Sequence, residues 1–226
     1  VAAGNYTQPI TVKQCRYEAD EMFTINAVEN STIGFNKSGS PTITPVFEYS
    51  LNGTDWSEWA WSDGYTIPLT AGQKVMIRGN NSSGINNSES VYNYFTITGN
   101  VTLSGNIMSL LDSSLSRTSL PSDNCFYSLF KECTGITKSH ELVLPLQTVR
   151  QAGYNKMFYH CTSLYNTPHL QATVVNGNGY IRMFEGCTSL VDASPLKGST
   201  LSGGCYANMF ISCTSLTHAP AINETA

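Results

Sequence analysis

The sequence predicts a mixed fold, in which an antiparallel β-sandwich precedes an α/β solenoid built from short repeats. Two observations predict this division. One phrase recurs four times in the second half of the chain, around Phe130, Phe158, Phe184 and Phe210. Residues 1–99 lack the phrase and instead alternate apolar with polar residues between turn signals. We therefore expect a sandwich over residues 1–99, a linking or capping segment over 100–115 and a repeat domain over 116–226.

The spacing of the phrase indicates the kind of repeat. Its last three copies read MFYHCTSL, MFEGCTSL and MFISCTSL, and successive Phe residues are 28, 26 and 26 positions apart. This period falls within the roughly 20–29 residues of leucine-rich repeats and below the ~33–34 of ankyrin and tetratricopeptide repeats. The sequence therefore predicts about four leucine-rich repeats.

Aligned on Phe, the copies share four apolar columns. An aromatic residue stands four positions before Phe, a Met or Leu one before, a Cys three after, and a Leu or Ile six after. The aromatic residue, the Met or Leu and the Phe fit one face of a short helical turn, whereas the Thr-rich CTSL phrase favours an extended strand. A unit this small cannot bury its own apolar face, so we expect the copies to stack and these columns to form buried ladders.

The phrase Phe-x-x-Cys-Thr-Ser-Leu resembles the repeat of BspA-like leucine-rich-repeat bacterial surface proteins over about residues 116–226. The first copy departs from it and reads FKECTGI, as the first unit of an array commonly does. The phrase FEYSLNGTDWSEW, followed by IPLTAGQKVMIRGN, resembles the sandwich module that precedes such repeats. The resemblance implies an extracellular location at the bacterial cell surface and a role in adhesion or recognition.

Short alternating segments predict the strands of the sandwich. They are separated by turn signals such as Asn52-Gly53, and they include Ile10–Val12, Phe23–Ile25, Val46–Leu51, Val75–Arg78 and Tyr92–Ile97. Short strands at this spacing are typical of an immunoglobulin-like or fibronectin-like sandwich. A Cys…Trp…Cys pattern is absent, so a true immunoglobulin domain is not implied.

Four aromatic residues follow the turn at Asn52-Gly53: Trp56, Trp59, Trp61 and Tyr65. They could form a sugar-binding platform, because aromatic faces stack on the C–H surfaces of carbohydrates. Alternatively, one or two of them fill the sandwich core and the others cover its junction with the repeats. We favour the second interpretation.

The cysteines of the repeat column are expected to be buried free thiols. Equivalent atoms of stacked strands lie ~4.8 Å apart, whereas a disulfide needs Cβ atoms about 3.5–4.5 Å apart. Cys125 and Cys205 share one column but are separated by three repeats, or about 14 Å, which is too far for a disulfide. Cys15 has no evident partner, and the pairing of Cys15, Cys125 and Cys205 stays open.

The sequence does not predict an enzyme, a cofactor or a metal site. Catalytic phrases such as GxSxG and HExxH are absent, and no CxxC pair offers metal ligands. The net charge of -4 argues against nucleic acid as a partner, since phosphate binding needs a concentrated basic face. No stretch approaches the roughly 18 apolar residues that span a bilayer.

One column of the repeats varies. Two positions after the Leu stand Lys138, Asn166, Asp192 and His218, and Tyr165 and His169 are expected beside them. Such diversity at a fixed position predicts an outward-facing ligand surface, since stacked repeats bind partners through their variable columns. Alternatively, these are solvated positions under no functional demand.

The function expected from these observations is non-enzymatic adhesion or recognition, with a host glycoprotein, matrix protein or glycan as partner. The alternatives are a passive structural spacer or stalk and an accessory glycan-capture protein. The segment NIMSLLDSSL predicts one or two amphipathic helical turns that cap the repeats through Ile107, Leu110 and Leu111. The repeats lack a polar cap at their other end, which suggests either a shortened sequence or an end that another molecule protects, as in a homodimer.

Overall fold

A computed structural model describes residues 21–222, so the expected strand Ile10–Val12 and Cys15 lie outside the described residues. The chain in this range is built from short strands and turns. The strands are β1 (Phe23–Ala27), β2 (Ser31–Ser38), β3 (Phe47–Ser50), β4 (Ser57–Glu58), β5 (Ile67–Leu69), β6 (Lys74–Gly79), β7 (Tyr92–Thr98), β8 (Val101–Asn106), β9 (Ile136–Leu144), β10 (Thr148–Val149), β11 (His169–Leu170), β12 (Val174–Val175) and β13 (Thr200–Leu201).

The predicted fold class is wrong. Residues 21–222 contain no α-helix, and their helical structure is limited to two 3-10 helices, Trp61–Asp63 and Ile107–Leu110. The expected α/β leucine-rich-repeat solenoid is therefore replaced by an almost entirely β fold with several sheets. The helical turn expected at NIMSLLDSSL is present as the second 3-10 helix, and Ile107, Leu110 and Leu111 are buried.

Three sheets organise the described chain. The largest has the strand order β11-β9-β8-β1-β6-β3-β4, and the two smaller sheets have the orders β5-β2-β7 and β10-β12-β13. Pairing is antiparallel from β4 to β8 and becomes parallel between β8 and β9. Strand pairing thus continues across positions 99 and 115, and the domain bounds given above stay a prediction.

Aromatic side chains fill the space between the largest sheet and the β5-β2-β7 sheet. The ring of Phe35 meets those of Phe47 and Phe95 edge to face, with centroids 5.0 and 4.9 Å apart. Alternation along β7 places Asn93, Phe95 and Ile97 on the buried side. The period-2 pattern of the sequence therefore sets which side of each strand faces the core.

The four copies of the phrase, which we call units 1 to 4 after Phe130, Phe158, Phe184 and Phe210, do not form helical turns. In unit 1 the N–H groups of Leu129 and Cys133 donate to the carbonyls three residues earlier, at 3.3 and 3.1 Å. The N–H of Phe130 between them donates instead to Met157 of unit 2, at 2.8 Å. Alternate N–H groups therefore close β-turns within a unit and join that unit to the next. We call this segment, from six residues before Phe to three after it, the turn ribbon.

Every fourth residue of the turn ribbon is left-handed. In unit 1 these residues are Asn124, Ser128 and Glu132, with φ of 57°, 52° and 60°. The equivalent positions of the other units also have positive φ, and they are Ala152, Lys156, His160, Asn178, Arg182, Gly186, Gly204, Asn208 and Ser212. A left-handed residue at each turn cancels the right-handed winding, so the ribbon stays flat. In an α-helix the interior N–H groups point along the helix axis and none would be left for the next unit.

The expected Phe ladder is confirmed. Ring centroids lie 5.2 Å apart between Phe130 and Phe158, and 5.6 Å apart both between Phe158 and Phe184 and between Phe184 and Phe210. The rings are nearly parallel, with interplanar angles of 21°, 12° and 12°. The aromatic column four positions earlier stacks in the same way, through Phe126, Tyr154, Tyr180 and Tyr206.

The cysteine column is confirmed as a ladder of buried free thiols. The thiol of Cys161 donates to the carbonyl of Phe130 at 3.1 Å, and those of Cys187 and Cys213 make the same bond to the preceding unit. Burial raises the pKa of Cys133 to about 12. Cys125 and Cys205 are buried free thiols as well. A Cys at this position therefore satisfies a carbonyl of the neighbouring unit and fills a narrow column.

The Phe ladder begins in the first part of the chain. Phe95 of β7 stacks on Phe130 at 5.2 Å, its N–H donates to Leu129, and its carbonyl accepts the thiol proton of Cys133 at 3.2 Å. Beside it, β8 pairs in parallel with β9 of unit 1. The sandwich sheets therefore take the place of a preceding unit and cover that end of the stack.

Phe158 should be among the most sensitive positions of the chain, since its ring is fully buried between two others. Replacing it (Phe158→Ala) is expected to lower the free energy of unfolding by about 3–5 kcal/mol. The matched control is Phe210→Ala, in the same column but only partly buried at the end of the ladder. Urea denaturation should show a clearly smaller loss for the control, and equal losses would contradict the stacking.

The flat ribbon also predicts an unusual response to glycine. Ser212 is exposed and has φ 60°, a conformation that costs an L-residue roughly 1–2 kcal/mol. Ser212→Gly should therefore raise the free energy of unfolding by about 0.5–1 kcal/mol. Ser215→Gly, at an exposed position of the same unit, serves as control and should be neutral or destabilising. A loss of about 1 kcal/mol for Ser212→Gly would indicate a helix instead.

Candidate functional site

The candidate site is a strip of side chains on the flank of the stack, beyond the turn ribbons. Its centre is Tyr165, whose backbone N–H donates to Thr137 of unit 1 and whose carbonyl accepts from Val191 of unit 3. These bonds hold Tyr165 between Thr137 and Val191, which stand at the same position of units 1 and 3, yet Tyr165 is 52% exposed. We call the surface formed by His140, Tyr165, Asn166, His169 and Asp192 the polar strip.

Asn166 organises the strip. Its side-chain oxygen accepts from the N–H groups of Ser139 and His140, at 3.0 and 3.2 Å. Its amide nitrogen lies 3.3 Å from Nδ1 of His140, and its backbone forms a parallel bridge with Asp192. Asn166 therefore fixes the position of His140 and links units 1, 2 and 3, so most of its hydrogen-bonding capacity is used within the protein.

His169 lies on β11, where its backbone pairs with Val143 of β9, and it is half-buried. Loss of hydration lowers the pKa of its imidazole, interactions with His140 and Lys197 lower it further, and Asp192 opposes them. The folded protein therefore favours the neutral form of this imidazole, which carries one hydrogen-bond donor and one acceptor.

The structure brings together most of the predicted column. Asn166, His169 and Asp192 belong to the strip around Tyr165, and Lys138 is exposed at its unit 1 end. His218, the unit 4 member of the column, is exposed and its Nδ1 lies 2.9 Å from the hydroxyl of Thr217.

Sequence reasoning missed His140. The four histidines stand at different offsets within the repeats, so no alignment column contains His140 beside His169. The signal that could have found it is the strand period: Lys138 and His140 flank the fully buried Ser139 and therefore both face outward.

The aromatic platform predicted as one alternative is not assembled. Trp59 and Trp61 are buried, with exposures of 2% and 7%, and their indole N–H groups donate to the carbonyls of Tyr65 and Pro45. Both residues are therefore corrected from candidate ligand surface to core. They pack against Phe35, which explains their burial.

The other two aromatic residues of that cluster, Trp56 and Tyr65, lie nearer the surface and contact different neighbours. The guanidinium of Arg78 stands 4.0 Å above the ring of Trp56 and is held there by Glu48, at 2.8 Å. That ring face is therefore already occupied by a cation–π contact. Tyr65 is 47% exposed, and its hydroxyl lies 3.4 Å from that of Tyr49.

The chemistry of the polar strip is hydrogen bonding and ring stacking. Among residues 21–222 no group of three or more His, Cys, Asp or Glu is placed to hold a metal ion. The six thiols of the same range are all buried. No helix in the described part of the chain is long and apolar enough to cross a membrane.

Comparison with family models, with curated proteins and with solved structures found no match for the chain. The resemblance to BspA-like surface proteins therefore stays a prediction that rests on the repeated phrase and on the phrase FEYSLNGTDWSEW.

Asn166 provides a test of whether this part of the strip is structural. Asn166→Ala leaves two backbone N–H groups without an acceptor and should cost about 1–3 kcal/mol in the free energy of unfolding. Asn166→Asp keeps the accepting oxygen and should cost clearly less. Urea denaturation of both variants measures the difference. Equal losses would show that the side-chain oxygen does not carry the stabilisation.

Proposed function

We propose that this chain is a non-enzymatic recognition protein of the bacterial cell surface, which binds a host glycoprotein, matrix protein or glycan through the polar strip. One observation carries the proposal. The Phe and Cys columns that recur in every unit form ladders that are buried in units 1 to 3. The column of Lys138, Asn166, Asp192 and His218 instead changes its chemistry from unit to unit, is largely exposed and lies beside a half-exposed tyrosine. Repeat proteins bind partners through such variable exposed positions.

The composition of the strip favours a partner rich in hydroxyl groups. Tyr165 offers a ring face. Asp192 accepts hydrogen bonds from hydroxyl groups, and as a carboxylate it forms stronger ones than a neutral acceptor would. A glycan presents C–H faces to the ring and hydroxyls to the polar groups, and a glycoprotein presents the same chemistry.

The location outside the cell is part of the proposal. Burial raises the pKa of the thiols in the cysteine column, and it raises the pKa of Cys125 to about 12. Since the thiolate is the form that reacts, buried thiols of this kind resist oxidation in an oxidising compartment. The resemblance of the repeated phrase to that of BspA-like surface proteins also supports this location.

A specific observation favours one alternative, a passive spacer or stalk. The ladder of stacked rings continues from Phe95 through Phe130, Phe158 and Phe184 to Phe210, so the sandwich sheets and the repeats share one buried core. Such a core makes a stiff element that could hold another module away from a surface. An accessory role in glycan capture is a narrower form of the recognition proposal.

The test is a screen of glycan and matrix-protein arrays with the wild-type chain and with Tyr165→Ala and Asp192→Ala. Each variant should lower the affinity for the bound partner at least tenfold, which corresponds to about 1.4 kcal/mol. The matched control is Val191→Ala, which shortens the exposed side chain at the Tyr165 position of the next unit. It should bind within about twofold of the wild type.

The outcomes separate the alternatives. Binding that Tyr165→Ala leaves unchanged would reject the polar strip as the site. Absence of binding to every array member would favour the spacer. Binding to glycans alone, without any protein, would favour the capture role over adhesion to a host protein.

A further inference from the structure

An irregular point in β9 forms the unit 1 side of the polar strip. Where β8 advances by two residues, its partner β9 advances by three, from Lys138 to Glu141. A β-bulge of this kind changes the direction of the side chains around it. Ser139 is fully buried, and His140 and Glu141, which follow it, are both exposed. The bulge therefore leaves two adjacent side chains of one strand on the surface.

Asn166 is fixed against this bulge in a single orientation. Its side-chain oxygen accepts from the N–H groups of Ser139 and His140, and its backbone carbonyl accepts from the hydroxyl of Ser139 at 2.9 Å. Rotating the amide by half a turn would place its NH2 group against two N–H groups, and all of these groups are donors. The amide nitrogen must therefore take the other position, which faces the ring of His140.

This orientation assigns the tautomer of His140. Nδ1 of the ring lies 3.3 Å from the amide nitrogen of Asn166. An amide NH2 group only donates, so Nδ1 must accept and carries no proton. The single proton of the neutral ring therefore lies on Nε2, in a side chain that is 49% exposed. The polar strip thus offers an N–H donor at this point.

We propose that Asn166 and His140 form a pH switch in the polar strip. In the neutral form, the hydrogen bond to Nδ1 holds the ring in place with its Nε2–H group available to a ligand. Protonation places an N–H group on Nδ1 against the NH2 group of Asn166, and two donors cannot bond to each other. Because Asn166 is fixed by two backbone N–H groups, the ring of His140 is the partner that moves.

The groups around this pair support the same response. Its titratable neighbours are Lys138, Glu141, His169, Asp192 and Lys197. On one side of β9, β8 contains no titratable residue. On the other side, β11 carries His169, and a positive charge on either imidazole disfavours one on the other. Glu141 lies 3.8 Å from Nε2 of His140, so it does not replace the bond that is lost at Nδ1.

The switch can be tested without a ligand by two-bond 1H–15N correlation spectra of the imidazoles. They are recorded at about pH 7.5 and 5.5, one unit above and below the ordinary titration point of histidine. At the higher pH, His140 should carry its proton on Nε2, and an NOE should join its Hε1 proton to the side-chain amide protons of Asn166. That NOE should be lost at the lower pH.

His218 is the matched control for these spectra. Its Nδ1 lies 2.9 Å from the hydroxyl of Thr217, which can donate or accept. Protonation of His218 therefore leaves this contact possible, and its NOEs to Thr217 should be similar at both pH values.

Asn166→Asp changes the switch at a single group. It keeps the oxygen that accepts from Ser139 and His140 and replaces the NH2 group by a second oxygen, which accepts from a protonated Nδ1. His140 should therefore take up its proton at a pH at least about one unit higher than in the wild type. Val191→Asp adds the same charge beside Tyr165 instead, and it should change this pH by less than half as much.

The consequence for binding rests on the proposed function, whereas the switch is a property of the chain without a ligand. On the glycan and matrix-protein arrays, binding by the wild-type chain should be at least tenfold weaker at about pH 5.5 than at about pH 7.5. Asn166→Asp, in which the ring of His140 stays in place in acid, should lose less than about threefold.

Three results would overturn the proposal. One is a proton on Nδ1 of His140 at about pH 7.5. Another is an Asn166→Asp chain in which His140 takes up its proton at the same pH as in the wild type. The third is array binding of equal strength at both pH values. Absence of array binding at either pH would instead contradict the proposed function, and the spectra would still decide the switch.

Discussion

The division of backbone N–H groups in the turn ribbon is the constraint on which the rest of the repeat structure depends. Alternate groups close turns within a unit, and the others bond to the next unit. This arrangement requires a left-handed residue at every fourth position, at a cost of roughly 1–2 kcal/mol for each residue with a side chain. Hydrogen bonds between units, at about 0.5–1.5 kcal/mol each, and the burial of the ring and thiol ladders offset this strain.

The same constraint gives the two ends of the stack different chemistry. Unit 1 turns its carbonyls toward the sandwich sheets, where Asn86 and Phe95 supply donors. In unit 4 the equivalent N–H groups, such as those of Tyr206 and Phe210, have no acceptor among residues 21–222. The side chains of the flank do not take part in these backbone bonds between units. Asn166 is the main exception, because its side-chain oxygen accepts from two backbone N–H groups of unit 1. Residues there can therefore differ from unit to unit without loss of the stack.

The candidate site was predictable only in part. The varying column led to Asn166 and Asp192, and the structure places both beside Tyr165 and His169. The varying column did not lead to His140, because the path of the chain after the CTSL phrase sets which residues of unit 1 lie over those of unit 2. Nor could the sequence decide between core and surface for Trp59 and Trp61. That choice depends on Phe35 and Pro45, which lie distant in sequence.

The buried columns, the free thiols and the alternating strands of the sandwich sheets could be predicted from the sequence, because burial follows from local pattern and from the need of small units to stack. The choice between helix and ribbon depends instead on contacts between units. Apolar residues at offsets of -4, -1, 0 and +3 from Phe fit a helical face and a four-residue turn equally well. What separates them is the acceptor of each alternate N–H group, and that carbonyl lies on another unit, 25 to 27 residues farther along the chain.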